Sequence, residues 1–303
     1  MLERRRFIAT APWGLAWASG SAQAARPEAA LRMPGPPFRV GEYPYFQGDL
    51  AALALQKVGI TTPLEILSTQ TWPRQVRELH DGHADLAPLP AVDPGLYAKF
   101  HVRRVDFPIR RGLLGVRQLV VRSDRVDEFA RLPDLAALQR RYRLGYGTEW
   151  GDLPVMRQLG FRVATERTTA LLYEGLRNGR IDFLSRGLNE APSEVPRFTG
   201  PDQEFSLVPG VLLFYPLDDC YFVSHRRPEL AARLLRGLRT ALADGSYRQL
   251  FHQHFGESLA AVRDARVWRL DAYPRPPGLP LSDYDVLQRW MPRRAAAQLP
   301  QHA

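Results

Sequence analysis

The sequence predicts an α/β protein built as two lobes. Strands and helices alternate in a βαβαβ run early in the chain, with short connections. The same alternation restarts after a long apolar segment at residues 113–122. At 303 residues the chain is long enough for each lobe to bury a core of its own.

The first 24 residues are set apart from the fold. Arg4, Arg5 and Arg6 form a charged leader, residues 7–20 a short apolar stretch, and Ala22-Gln23-Ala24 a small-x-small cleavage site. This reads as a signal peptide cut near Ala24, and it predicts export to the periplasm. Arg4-Arg5-Arg6-Phe7-Ile8 also fits a twin-arginine pattern, while Glu3 replaces the usual Ser or Thr, so both export routes stay open.

Pro34, Pro36 and Pro37 read as a stiff connector. Residues 38–43 alternate as a first strand, and residues 48–58 space their apolar side chains as a helix that Gly59 ends. Residues 64–67 form a second strand, 72–80 a helix and 84–89 a third strand. Residues 113–122 are one long strand. Beyond it come helices at 132–141, 152–159 and 168–178, interleaved with strands at 142–146, 161–164 and 181–184. Residues 219–224 are a strand, and 229–255 a long or interrupted helical stretch. The run of parallel-type units predicts parallel sheets with helices on their faces. The pattern alone leaves open whether the lobes follow in series or one interrupts the other.

Composition is ordinary for a globular chain, with 45% hydrophobic and 24% charged residues. The net charge of +9 is almost entirely arginine. Those arginines spread over helical faces without an aromatic-interleaved stripe, which argues against a nucleic-acid surface. Cys220 is the one cysteine, so no internal disulfide is possible, and its apolar neighbours mark it as a small buried hydrophobe. His80, His83, His252 and His254 lack partners that would complete a metal site. There is neither a glycine-rich phosphate loop nor a nucleophile elbow. No metal or cofactor is expected.

Three motifs carry a resemblance. Tyr221-Phe222-Val223-Ser224, the helix after it, Asp244-Gly245-Ser246-Tyr247 and His254-Phe255-Gly256 resemble the closing segment of the bacterial family 3 extracellular solute-binding proteins. Glu174-Gly175-Leu176-Arg177-Asn178-Gly179-Arg180-Ile181-Asp182 resembles that family's helix-to-strand turn. Residues 76–85 resemble the same turn in the first lobe. The resemblance spans residues 38–258 and implies the type II periplasmic binding protein fold. Lobe 1 would comprise residues 38–118 plus 219–290, and lobe 2 residues 119–218, inserted between two crossing hinge strands. Residues 291–303 would be a tail. A ligand would bind in the cleft between the lobes, and hinge closure would trap it.

The candidate contacts follow. Gly147-Thr148-Glu149 closes a strand and opens a helix, where the family's comparable turn binds a carboxylate; this points to Thr148, with Glu149 beside it. In the amino-acid binders an arginine just before the crossing strand grips a carboxylate with a bidentate fork, which the resemblance carries to Arg111 over its neighbour Arg110. In the amino-acid binders an Asp about five residues beyond the turn Asp holds an ammonium. Counting from Asp182 lands on Gly187, beside Arg186 and near Asn189. An arginine there favours an anionic ligand. Tyr43 and Trp72 are aromatic candidates for the cleft wall. Asp218 and Asp219 could pair with arginines across the hinge.

The expected function is capture of a small anionic or amino-acid-like solute for a membrane transporter or sensor, by a monomer that catalyses nothing. Two other readings stand beside it. One is a sensor or interaction protein with a degenerate cleft. The other is a dehydratase-like enzyme on the same fold, using Glu149 or Glu190 as a positioned acid.

Overall fold

The structure is a computed structural model that describes residues 30–35, 45–68, 72–92, 97–275 and 277–290. The expected signal peptide, the strand at 38–43 and the tail at 291–303 lie outside these residues.

The first described strand is β1 (Leu31–Gly35), which pairs in parallel with β2 (Leu64–Ser68). Pro34 therefore sits in a strand, not in a connector. Leu31 and Met33 alternate into the core and carry the strand, whose Arg32 carbonyl accepts from the Asp85 amide just before β3 at 2.8 Å. Between them runs α1 (Phe46–Lys57), with α2 (Trp72–Asp81) and β3 (Leu86–Pro90) following. A two-residue β4 (Arg103–Arg104) precedes β5 (Val116–Arg122).

Beyond β5 come α3 (Val126–Ala130), α4 (Leu135–Arg141), β6 (Arg143–Gly147), α5 (Leu153–Gln158) and β7 (Arg162–Glu166). They are followed by α6 (Thr169–Arg177), β8 (Phe183–Gly187), α7 (Ala191–Phe198) and β9 (Phe205–Phe214). The chain then forms β10 (Asp219–Val223), α8 (Pro228–Ala243), α9 (Ser246–Ala261), β11 (Arg266–Arg269) and α10 (Val286–Trp290).

Asp134 begins α4 by accepting from the Ala137 amide, and Thr168 does the same for α6 with Leu171, each satisfying an otherwise orphaned helix-start N–H. The helical stretch after β10 breaks at Asp244-Gly245, where Gly245 takes φ 86°.

The strands form three sheets: β1-β2, β3-β10-β4 and the six-stranded β11-β9-β5-β8-β6-β7. The large sheet is mixed, not parallel as expected. β6 runs parallel to β7 and β8, but β5 runs antiparallel to both β8 and β9. The reason is topological: β5 carries the chain into this sheet and β9 carries it back out. The β5–β9 register shifts between Gln118 and Val120, next to exposed Pro209 and Gly210.

One core gathers α1, α8 and α9 over the small sheets, with Phe46 edge-on to Phe251 and Phe255. At Gly237 of α8 an added Cβ would stand 2.0 Å from the Ala54 carbonyl oxygen of α1, so only glycine permits this helix approach. A second core lines the large sheet through Leu119, Val121, Phe129, Tyr146 and Phe183. Leu212 and Phe214 of β9 and Leu188 after β8 join the first core, so the large sheet and the first core share a boundary.

Candidate functional site

The crossing segments meet at a strained turn. Arg111 has φ 55° and Gly112 φ 90°, two left-handed residues in succession. An arginine in that region carries strain that its surroundings must hold. Asp218, between β9 and β10, supplies the clamp: its carboxylate accepts from the Arg110 amide at 3.1 Å and from the Gly112 amide. Arg110 and Asp219, both buried, form an ion pair beside it, which realises the expected pairing of the Asp218-Asp219 couplet with an arginine across the hinge.

β5 lies against β8 in a register that sets Arg117 opposite Gly187 and Gln118 opposite Arg186. The loop after β8 carries Asn189 and Glu190 into α7. Arg186 donates through Nε and Nη2 to Glu194 Oε2 at 3.0 and 2.7 Å, a strong charge-assisted contact. Its guanidinium lies 5.0 Å from the Trp150 ring centre. Arg117 donates through Nε to the Tyr215 hydroxyl at 2.9 Å. Among the described residues, the only carboxylate within 4.0 Å of it is Glu190, at 3.9 Å, although Arg117 is 9% exposed.

Glu190 occupies the centre of this group. Its Oε2 lies 3.4 Å from Arg186 Nη2 and accepts from the Gly187 amide at 3.4 Å. Burial alone would raise this carboxyl, but the charges of Arg186, Arg117 and Arg110 outweigh it and hold Glu190 below the usual range. The side chain stays 34% exposed in these dense surroundings. A partly open carboxylate thus stands beside buried arginines. Four buried polar atoms at this site have no hydrogen-bond partner: Arg110 Nε, Ser185 Oγ, Asn189 Oδ1 and Glu194 Oε1. Such atoms are rare in a finished interior and common where a ligand or water belongs.

One rim of the cleft is formed by the turn after β6. Trp150 packs edge-on against Tyr146 at 4.6 Å, and a Cβ on Gly151 would lie 3.1 Å from Val92, beyond β3. Thr148 and Glu149 are exposed on this turn. The Thr148 amide donates to the Glu166 carbonyl at 3.0 Å, continuing the β6–β7 ladder rather than pointing free.

Of the residues singled out from sequence, Arg186 lies beside Glu190, and Asn189 precedes Glu190 in the loop after β8. Arg111 does not join them. Its Nε donates to Asp285 at 2.9 Å, and Nη1 lies 3.5 Å from Asp283, so its charge is consumed by the segment before α10. Tyr43 lies outside the described residues. Trp72 opens α2, and its side chain lies outside the described set. Sequence reasoning missed Arg117 and Glu194, chose Arg111, and weighed Glu190 as a positioned acid. The available signal was Arg117 itself, a charge inside the apolar run Val116–Arg122.

Among the described residues, no group of three or more His, Cys, Asp or Glu is placed to hold a metal ion. No helix there is long and apolar enough to cross a membrane.

The architecture is that of the two-lobed type II periplasmic binding proteins. No family model matches the sequence, and no curated protein matches it. Similarity to solved structures is nevertheless extensive. The VFT2 domain of Bordetella pertussis BvgS, in a doubly mutated form, aligns over 74% of this chain and 93% of its own, with TM-score 0.54 and 14% identity. An ancestral arginine-binding protein bound to arginine aligns over 76% of this chain and all of its own, with TM-score 0.53 and 18% identity. An arginine transport-system periplasmic binding protein from Legionella pneumophila covers 75% of this chain and 100% of its own, at TM-score 0.54 and 13% identity. At these identities the likeness establishes the fold.

Proposed function

We propose that the chain is an exported solute-binding protein that holds a small anionic or amino-acid-like solute between its lobes and presents it to a membrane transporter or sensor. Residues 38–118 with 219–290 would make one lobe and 119–218 the other. The observation that carries this reading is the cleft floor: three buried arginines around one carboxylate, with four buried polar atoms unpartnered. A core with no ligand to receive has no use for such a set, because unpaired buried polar groups are destabilising.

Turnover is not part of the proposal. Of the two acids that an enzyme would use, Glu149 is exposed on a loop and Glu190 is held ionised by arginines, the wrong state for a proton donor. The test is thermal unfolding of the purified protein against amino acids, dicarboxylates, aromatic acids and phosphorylated solutes. A solute at ~100 times its dissociation constant adds about 2.7 kcal/mol of stability, an easily read shift. Silence across the whole panel would favour a degenerate cleft.

A further inference from the structure

Glu190 is poorly held for a carboxylate among arginines. Its contacts to Arg186 and to the Gly187 amide are 3.4 Å, and that to Arg117 is 3.9 Å. A carboxylate matched to guanidinium donors sits at about 2.7–2.9 Å. The same Arg186 reaches that range with Glu194, at 2.7 Å. The arginines are therefore capable of a tight contact that Glu190 does not make.

Arg117 is the sharper case. Buried charges are stable when closely paired, and among the described residues this one has a distant carboxylate and one phenol oxygen. Arg110 adds a second unfilled donor, because Nε is buried without a partner while Nη2 holds Asp219. The Arg117 guanidinium thus presents donor capacity toward the space that Glu190 half fills. Glu190 itself stands immediately before α7 and is partly open to solvent.

We infer that Glu190 is a stand-in for the ligand, and that the cleft takes a small carboxylate without a nearby ammonium group, whose carboxylate displaces that of Glu190 from Arg117. This inference rests on the solute-binding reading and narrows it to a ligand class. The exchange is neutral in charge, since one carboxylate leaves the arginines as another arrives. An ammonium entering the same space would meet three guanidiniums and only a carboxylate already shared among them.

Isothermal titration of the purified protein tests this with succinate, malonate, inorganic phosphate and L-arginine, each against wild type and Glu190→Gln. Removing a resident competitor tightens apparent binding by the fraction of time it blocks the site, about tenfold if Glu190 is in place nine-tenths of the time. The expected result is dicarboxylate binding that strengthens about tenfold in Glu190→Gln and disappears in Arg117→Met. Should Glu190→Gln fail to fold, Glu190→Asp keeps the charge but shortens its reach, and it must still bind more tightly than wild type. Phosphate binding Glu190→Gln more tightly than either dicarboxylate would overturn the carboxylate assignment. L-Arginine binding without the dicarboxylates would overturn the inference and leave the solute-binding reading standing. No dicarboxylate binding to any variant would overturn it too, and the solute-binding reading would fall with it only if the wider thermal panel were also silent.

Discussion

Glu190 keeps its carboxyl where a side chain on Gly187 would otherwise stand: a Cβ built on Gly187 would lie 3.0 Å from the Glu190 carboxyl carbon and 3.3 Å from Arg117 Nη1. Counting along the sequence for an acidic cleft residue ends on Gly187. The carboxylate is present all the same, delivered from three residues further on into the space that the glycine leaves empty.

Arg117→Met should separate stability from binding. The substitution removes a buried charge whose nearest carboxylate among the described residues is 3.9 Å away and leaves a shorter apolar chain. It spares the desolvation of a buried guanidinium, and with no close carboxylate partner little of the about 3–5 kcal/mol lost on breaking a tight buried pair goes with it. The ligand-free variant should melt at or above the wild-type temperature, read by differential scanning calorimetry, while losing its response to dicarboxylates.

Asp285→Ala should do the reverse. Arg111 and Asp285 are each 7% exposed and 2.9 Å apart, so the change strands a buried guanidinium beside a strained turn. Breaking such a pair costs about 3–5 kcal/mol. Urea unfolding should show that loss. A midpoint unchanged from wild type would mean that the turn is held by Asp218 alone.

Asp218 gives the hinge a pH dependence. Burial pushes its carboxyl up to about 7, against the pull of Arg110 and with the Asp219 charge adding to the rise. The surrounding Tyr247, Tyr284 and Cys220 are raised by burial and do not titrate below neutrality. The folded form thus binds this proton more tightly than the unfolded chain. Its contribution favours the folded state increasingly as pH falls from about 7 toward about 4, and is lost as pH rises through about 7. Melting temperatures between pH 5 and 8 should carry this slope, and Asp218→Asn should flatten it.

Cys220 should be inert. It is fully buried in β10, and burial raises its thiol well above the ordinary value, so the reactive thiolate is scarce. A thiol-reactive chromophore should leave the native protein unlabelled and modify one site after denaturation. Rapid native labelling would contradict the packing of β10 between β3 and β4.

Much of the architecture was legible because it rests on local periodicity. α1, α2, β2, β3 and the β6–β8 alternation all announce themselves by apolar spacing. β9 did not, because Pro209 and Gly210 interrupt its pattern at the place where the β5 register shifts. α7 was hidden by Pro192 and Pro196. The cleft was harder to read, since its residues converge through strand pairing. Arg117 meets Glu190 only because β5 and β8 run antiparallel in one register, and no spacing along the chain encodes that. Arg110 and Arg111 are adjacent in sequence yet pair with different segments, Asp219 of β10 and Asp285 before α10, and Arg111 does so from a left-handed backbone that no spacing encodes.

The Arg111 contacts also change what the last described segment is. Asp285 holds the Arg111 side chain, and the Val286 amide donates to the Arg111 carbonyl at 3.1 Å. Two bonds therefore tie the last described helix to the strained turn at Arg111. Shortening the chain ahead of Asp285 would remove a brace from that turn. A fluorophore placed on that helix would report a change at the turn from a point far along the chain.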